Sequence, residues 1–244
     1  MKWGRPASRI CIGNMAENLL TPALTVFEHM ALDEVLCTAE RAELVLRFYH
    51  WTPGPAVTFG YSQFVGSVQS QVKEQNGPLC RRPTGGGIVF HGADLTFSLV
   101  FESTLRPSEI YAKLHGAIEQ AFVQENGLHS TRQGAVSSSA YAPTQNGIAT
   151  GCFANPVQDD LLIGGQKILG GAIRRLGSRV LYQGSLQCLG ARTNPAFRRA
   201  VTVGAQKLLG VVFKTSPVEK ELLEKAKALA VSQYQTTAWT EKFI

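Results

Sequence analysis

No continuous apolar run of 18 residues occurs anywhere in this 244-residue sequence, so none of it reads as a membrane-spanning helix. The N-terminus, MKWGRPASRICIGNMAENLL, also lacks the apolar stretch of about 7–15 residues that a signal peptide requires. Cysteine is scarce: Cys11, Cys37, Cys80, Cys152 and Cys188 are widely spaced and form no C-x-x-C pair. An odd count at such spacings suits neither a disulfide framework nor a zinc site, and points to a reducing, cytoplasmic setting with no metal centre. Charged residues are few, 17% of the chain, while 44% are apolar, which excludes disorder on composition. A chain of this length removes roughly 70–75% of its extended surface from water on folding, so it needs no covalent staples.

The charge that is present is unbalanced. Lys and Arg number 24 against 18 Asp and Glu, a net +6, which favours acidic partners or simply a solvated basic surface. No basic block is longer than two residues. The basic residues also lack a helix-turn-helix, zinc or aromatic-stacking signature beside them, which argues against a nucleic-acid function.

Organisation follows from periodicity. Residues Leu24 to Ala42 place Leu24, Phe27, Ala31 and Val35 at helical spacing, with Met30 and Leu36 beside them, predicting a long helix with that face buried. LVLRFYHW (44–51) and AVTFGY (56–61), separated by Thr52-Pro53-Gly54-Pro55, read as paired strands. GIVFH and LTFSLVF flank Gly92-Ala93-Asp94 as two more strands, and Ser108 to Gly127 reads as a second helix stopped by its glycine. Residues 130–150 are small, polar and aperiodic, a long loop of the sort that serves as a lid or binding loop. LLIGGQKILGGAIRR predicts a hairpin turning at Gly164-Gly165, and RVLYQGSLQ another strand. Asn194-Pro195 opens a helix ending at Gly210, while Ser216-Pro217-Val218-Glu219 has the order of an N-cap, a first-position proline and a capping-box glutamate. No repeat or linker divides the chain, so a single α+β domain over residues 1–244, a mixed β-sheet core flanked by helices, is expected.

Three segments can carry chemistry. In RRPTGGGIVFH (81–91), three glycines between an arginine pair and a strand permit close backbone approach to a ligand, and arginine offers forked donors; a plain glycine-rich turn would look the same. The segment fits neither the P-loop nor the dinucleotide fingerprint. In GGQKILGGAIRR (164–175), Lys167 follows a tight turn among the small residues Gly170, Gly171 and Ala172, where it either projects into a cleft to stabilise an oxyanion or is an ordinary surface lysine. In TGCFANP, Cys152 ends the polar loop 15 residues before Lys167. A loop thiol near a cation can ionise and act as a nucleophile, whereas Cys37, Cys80 and Cys188, on predicted regular elements, read as small buried hydrophobes.

Taken in order, EHMALDEVL, LRFYHWTPGPAVTFGYSQ, RRPTGGGIVFHGADLTFSLVF and DDLLIGGQKILGGAIRRLGSRVLYQGSL, spread over Phe27 to Leu189, resemble the lipoate–protein ligase and octanoyltransferase family, which also includes biotin–protein ligases. The resemblance implies a biotin/lipoate ligase-like catalytic domain. It places Arg82 and the turn of Gly85, Gly86 and Gly87 in an acyl-binding cleft with His91 at its edge, adds Gly170 and Gln183 to that cleft, and makes Lys167 the contact of the acyl carbonyl. RRPTGG with a following H-x-x-x-LTFS, and Cys152-Phe153 shortly before DDLLIGGQK, are closest to the cysteine-dependent octanoyltransferase branch. For that branch the resemblance implies octanoyl or lipoyl transfer from acyl carrier protein, through a thioester on Cys152, to a lysine of a lipoyl domain or glycine-cleavage H protein, with no cofactor. The alternatives are an ATP- and Mg-dependent lipoate ligase acting through an acyl-adenylate, and a non-catalytic lipoyl- or acyl-binding module. Two departures stand out: Gly87 where this branch often has Arg, and Gln183 where an H-G-[ST]-L strand usually starts with His. The sequence also lacks the separate C-terminal domain of many ligases, which the resemblance reads in favour of transfer.

Overall fold

The computed structural model describes residues 16–39, 44–73, 77–135 and 156–243. Cys11, Cys152 and most of the 130–150 segment lie outside the described residues.

Among the described residues an eight-stranded mixed sheet runs in the order β11-β1-β2-β6-β10-β9-β8-β7. Its strands are β1 (Ala16–Leu20), β2 (Leu44–Phe48), β6 (Leu95–Glu102), β7 (Thr131–Arg132), β8 (Leu161–Ile163), β9 (Gln166–Leu176), β10 (Arg179–Leu186) and β11 (Lys214–Pro217). A smaller sheet orders β4 (Leu79–Arg81), β3 (Ala56–Phe59) and β5 (Val89–His91) with β3 central. The large sheet is covered on both faces, so nearly every residue of its central strands is buried. On one face Leu44, Leu46, Phe48, Phe97, Leu99, Phe101, Val180 and Tyr182 pack against α3 (Pro107–Asn126) and α4 (Pro195–Leu209). On the other, Val45, Tyr49, Val100 and Leu181 meet α1 (Val26–Thr38), α5 (Lys220–Leu229) and the π-helical turn Ala230–Tyr234. Helix α2 (Val65–Gln71) packs on the small sheet, and α6 (Thr237–Thr240) lies near the C-terminus.

Local sequence explains the element ends. Thr25 and Glu28 close a reciprocal capping box on α1, a device contributing about 1 kcal/mol. Gly127 and Gly210 take the left-handed conformation that ends α3 and α4, and Asn194 caps α4 through its side chain. The β8–β9 hairpin turns at Gly164 and Gly165 with φ of 56° and 79°, a pair of positive values that glycines adopt without strain.

Three expectations differ. β2 and β3 do not pair: β2 joins β1 and β6, and β3 joins β4 and β5. Every residue of both strands is buried, so their apolar runs carry no information about partner choice, and the chain between them bonds the segment just before α1, where Leu24 N–H bonds His50 O and Thr52 N–H bonds Leu24 O. Ser216 and Pro217 do not open a helix; parallel pairing with Leu19 and Leu20 claims them for the edge strand β11, where proline is tolerated, and α5 starts after Glu219. Helix α1 also buries another face: Val26, His29, Met30, Leu32, Asp33, Leu36 and Cys37 with Ala31, while Phe27 and Val35 are only half-buried. It lies between the sheet and α5, so it is enclosed most of the way round.

Candidate functional site

Strand alternation decides where polar chemistry gathers. The residues of β2, β6 and β10 that point toward α3 and α4 are apolar, whereas Arg47, Thr96, Ser98, Gln183 and Ser185 occupy the alternate positions. The register sets Gln183 beside Ser98 and Ala172, and Ser185 beside Thr96 and Gly170. A polar strip therefore crosses three strands on the α1 side, and it borders a small cavity of about 30 Å³ that is partly open to solvent and lined by Met30, Tyr49, Thr58, Arg82, His91 and Gly170, among others. The cavity lies where the small sheet meets the large one.

Its small-sheet wall is a hydrogen-bonded chain. Arg82 Nη1 donates to Thr58 Oγ1 at 2.8 Å, and Nη2 donates to Gly85 O and Gly87 O at 2.9 and 2.8 Å. The Thr58 hydroxyl also lies 2.8 Å from His91 Nε2, and His91 Nδ1 lies 2.9 Å from Asp94 Oδ2. Asp94 also accepts from Thr96 and Ser185 at 2.5 and 2.7 Å. Burial alone would raise the Asp94 pKa, but His91 and these hydroxyls outweigh it and bring it down to about 2. The wall is rigid and anionic at one point, with arginine anchoring the glycine turn from behind.

The floor belongs to a second network. Asp33 accepts from Arg47 Nε at 2.7 Å, Ser98 Oγ at 2.7 Å and Gln183 Nε2 at 2.6 Å, and from the Tyr49 hydroxyl. Thr84 Oγ1 donates to Gln183 Oε1 at 2.5 Å, so the one amide side chain joins the RRPTGG turn to α1. His29 stacks on Tyr49 at 4.4 Å; burial, then the Arg47 charge, hold its pKa well below the ordinary range. It is therefore neutral, with Nε2–H on His50 O at 3.0 Å and Nδ1 accepting from Arg47 at 3.0 Å.

The third network holds the lysine. Lys167 Nζ lies 2.7 Å from Asp160 Oδ2, both side chains being 3% exposed. The ammonium lies over Gly170: a Cβ there would come within 2.3 Å of Lys167 Cε and 2.5 Å of Nζ. Gly184 likewise leaves room for Phe97 and Tyr182, whose rings a Cβ would meet at 2.6 and 2.8 Å. Burial raises the Asp160 pKa, opposed by Lys167 and by the Val157 N–H, which donates to Oδ2 at 2.7 Å. The turn carrying these aspartates is tied to α3, since His115 Nδ1 donates to Asp159 O at 2.7 Å and Nε2 accepts from Tyr182 at 2.7 Å. Burial takes the His115 pKa down to about 4, so its ring is neutral.

Of the residues expected from sequence, Arg82, His91, Gly170 and Gln183 line one cavity, and Lys167 lies against Gly170 at its margin. Gly85, Gly86 and Gly87 are not among its lining residues; Gly85 and Gly87 offer their carbonyls to Arg82, and Gly86 takes a φ of 90°. Cys152 lies outside the described residues. The thiols of Cys37 and Cys188 are pushed up to about 11 by burial, and that of Cys80 is pushed up further, which makes all three poor nucleophiles. Sequence reasoning missed Asp33, Thr58, Asp94 and Asp160. Only Asp33 had a usable signal, since an aspartate four residues after His29 and three before Leu36 falls on a buried helical stripe.

A partly open cavity with a buried ammonium at its margin can stabilise negative charge on a bound carbonyl oxygen. The family model for the lipoyl protein ligase A/B catalytic domain matches residues 25–208. Octanoyltransferase LipM of Symbiobacterium thermophilum is 35% identical over 167 residues, covering 65% of this chain and 60% of that protein. The enzyme of the same name from Oceanobacillus iheyensis is 34% identical over 166 residues, covering 65% and 58%. The matches thus span about three fifths of those relatives' length. Among solved structures, Ta0514 of T. acidophilum with bound lipoic acid superposes with a TM-score of 0.74 at 20% identity, over 94% of this chain and 99% of that one. Lipoate-protein ligase A bound with ATP gives 0.73 at 20%, over 96% and 100%. At that identity the two structures establish the shared α+β fold alone.

Proposed function

This chain belongs to the lipoyl protein ligase A/B catalytic-domain family, and from that membership we propose that it is an octanoyltransferase, a single catalytic domain working in the cytoplasm. It moves an octanoyl group from acyl carrier protein to a lysine of a lipoyl-accepting protein, either a lipoyl domain or a glycine-cleavage H protein, through a thioester on Cys152. The observation that carries this reading is the buried Lys167, its ammonium held over Gly170 beside the cavity by Asp160. The name of the relatives at 35% and 34% identity supports the acyl group. Sequence continuity supports the nucleophile: Val157, five residues after Cys152, donates its N–H to the same Asp160 oxygen that holds Lys167.

Each step balances without an external energy source. The Cys152 thiolate attacks the carbonyl carbon of the donor thioester, and the tetrahedral oxyanion is stabilised by the Lys167 ammonium. Collapse breaks the donor C–S bond and releases the carrier thiol, which takes up a proton. The acceptor ε-amine then attacks the octanoyl-enzyme; the amide forms, the amine proton leaves, and the Cys152 thiolate returns. The chain's own net charge of +6 attracts acidic carriers.

Intact-mass measurement after mixing with octanoyl-acyl carrier protein, without ATP, tests the reading. One octanoyl adduct on the wild type and none on Cys152→Ala is expected. Absence of the wild-type adduct overturns the covalent route. Ligation of free lipoate that requires ATP and persists in Cys152→Ala assigns the protein to the ligases instead.

A further inference from the structure

Three basic side chains from separate segments meet beside the turn that joins β5 to β6. His50 follows β2, Arg192 lies between β10 and α4, and Arg198 is near the start of α4. Arg192 Nη1 donates to Gly92 O at 2.5 Å, so it holds the residue next to His91, whose ring lines the cavity. Arg198 is half-buried, with its guanidinium over the Phe48 ring at 5.1 Å and Nη2 3.0 Å from His50 Nε2. A guanidinium only donates, so His50 Nε2 accepts and its ring is neutral in this arrangement.

This cluster has no counter-charge. Among the described residues no carboxylate pairs with Arg192 or Arg198, although Arg106, Arg132 and Arg199 each have one. The charged groups that act on His50 are Arg198 and Arg192, which with burial lower its pKa; burial and Arg192 lower that of Arg198. The first turn of α4 contains no acidic residue, so the positive end of a 15-residue helix adds to the same field. Gathering two guanidiniums at a helix N-terminus costs free energy through mutual repulsion, and a bound anion would recover it. Two exposed apolar side chains, Phe90 and Leu189, lie on the segments that adjoin here, where Gln187 Nε2 donates to Phe90 O at 3.2 Å.

We propose that His50, Arg192 and Arg198 form a phosphate-ester site, and that its ligand is the phosphate of the acyl donor's phosphopantetheine arm. The assignment of the donor rests on the transfer reading above; the anion site does not. The cluster's anchor on Gly92 puts it at the lip of the cavity, so one donor can place its acyl end inside and its phosphate outside, with the thin arm passing Phe90.

The test follows the His50 ring by NMR during a pH titration of the whole protein, alone and with inorganic phosphate, 4′-phosphopantetheine, pantetheine or ADP. Phosphate and 4′-phosphopantetheine are expected to raise the His50 midpoint by about one unit, the effect of a nearby anion, while pantetheine leaves it in place. Arg192→Gln, at an exposed position, should abolish the response without changing the thermal melt. The ratio of KM for octanoyl-4′-phosphopantetheine to that for octanoyl-pantetheine should rise in this variant, by about tenfold for one lost charge-assisted contact. No midpoint shift with either phosphate compound, or an unchanged shift in Arg192→Gln, overturns the site. A shift with ADP as large as that with 4′-phosphopantetheine, together with an unaltered KM ratio, overturns the donor assignment. A phosphate response in a protein that accepts no octanoyl thioester keeps the site and removes the transfer reading.

Discussion

Two buried ion pairs flank the cavity, and they are built differently. Asp33 receives a rigid guanidinium fork from Arg47 and three further donors, from Ser98, Tyr49 and Gln183, inside a fully buried strand-and-helix junction. Asp160 holds a flexible lysine beside a residue with no side chain and takes the Val157 N–H on the same oxygen. Arginine's planar fork suits a fixed pair, whereas the lysine ammonium is a compact charge on a flexible stem. The difference teaches that desolvating a charge serves two ends: many donors around a carboxylate fix a scaffold, and a single cation beside open space is available to a developing negative charge.

That contrast can be broken by mutation. Asp33→Ala leaves Arg47 buried without its carboxylate and should lower unfolding free energy by about 3–5 kcal/mol in urea titration. A loss under about 1 kcal/mol, the size of a surface effect, would mean that the scaffold pair is dispensable. Lys167→Met should instead spare much of the stability, because Asp160, already raised by burial, can take up a proton once the ammonium is gone. Its expected loss is in turnover, about 10²–10³-fold, the cost of one oxyanion donor. Equal stability losses in the two variants would erase the distinction. Gly170→Ala sharpens it further: the new Cβ would occupy the place of Lys167 Cε, so turnover should fall by about 10–100-fold through misplacement of the ammonium, with a smaller change in melting temperature. Unchanged turnover in Gly170→Ala would show that the lysine works from another position.

The parts legible in the sequence were those with local causes. The Gly164-Gly165 hairpin, the Asn194-Pro195 helix start and the Gly127 and Gly210 stops depend on neighbours in the chain, and all lie as expected. Arg82, His91, Gly170 and Gln183 come from motifs far apart in the sequence, and the fold brings them to one cavity. What could not be read was long-range. β2 and β3 are wholly buried, so no alternation told which sheet each joins. The Ser216-Pro217 signal was overridden by pairing with β1, more than 190 residues away, where Ser216 Oγ also donates to Glu17. Asp160 stands in a run of two aspartates, DD, and only the fold separates their work: Oδ2 of the second holds Lys167, while the first offers its backbone carbonyl to His115.

The adjacent arginines Arg81 and Arg82 have a mechanical consequence. Arg81 donates to Trp239 O, Thr240 O, Tyr61 O and Gln63 O, and Trp239 Nε1 returns a bond to the Arg81 carbonyl. Arg82, on the other side of the same strand end, grips Gly85 O, Gly87 O and Thr58. Side by side, they act as a double-ended clasp, with one hook in the C-terminal turn and the other in the wall of the cavity. A single peptide unit joins the two hooks, so the C-terminal turn and the glycine turn are fastened to adjacent residues of one strand end.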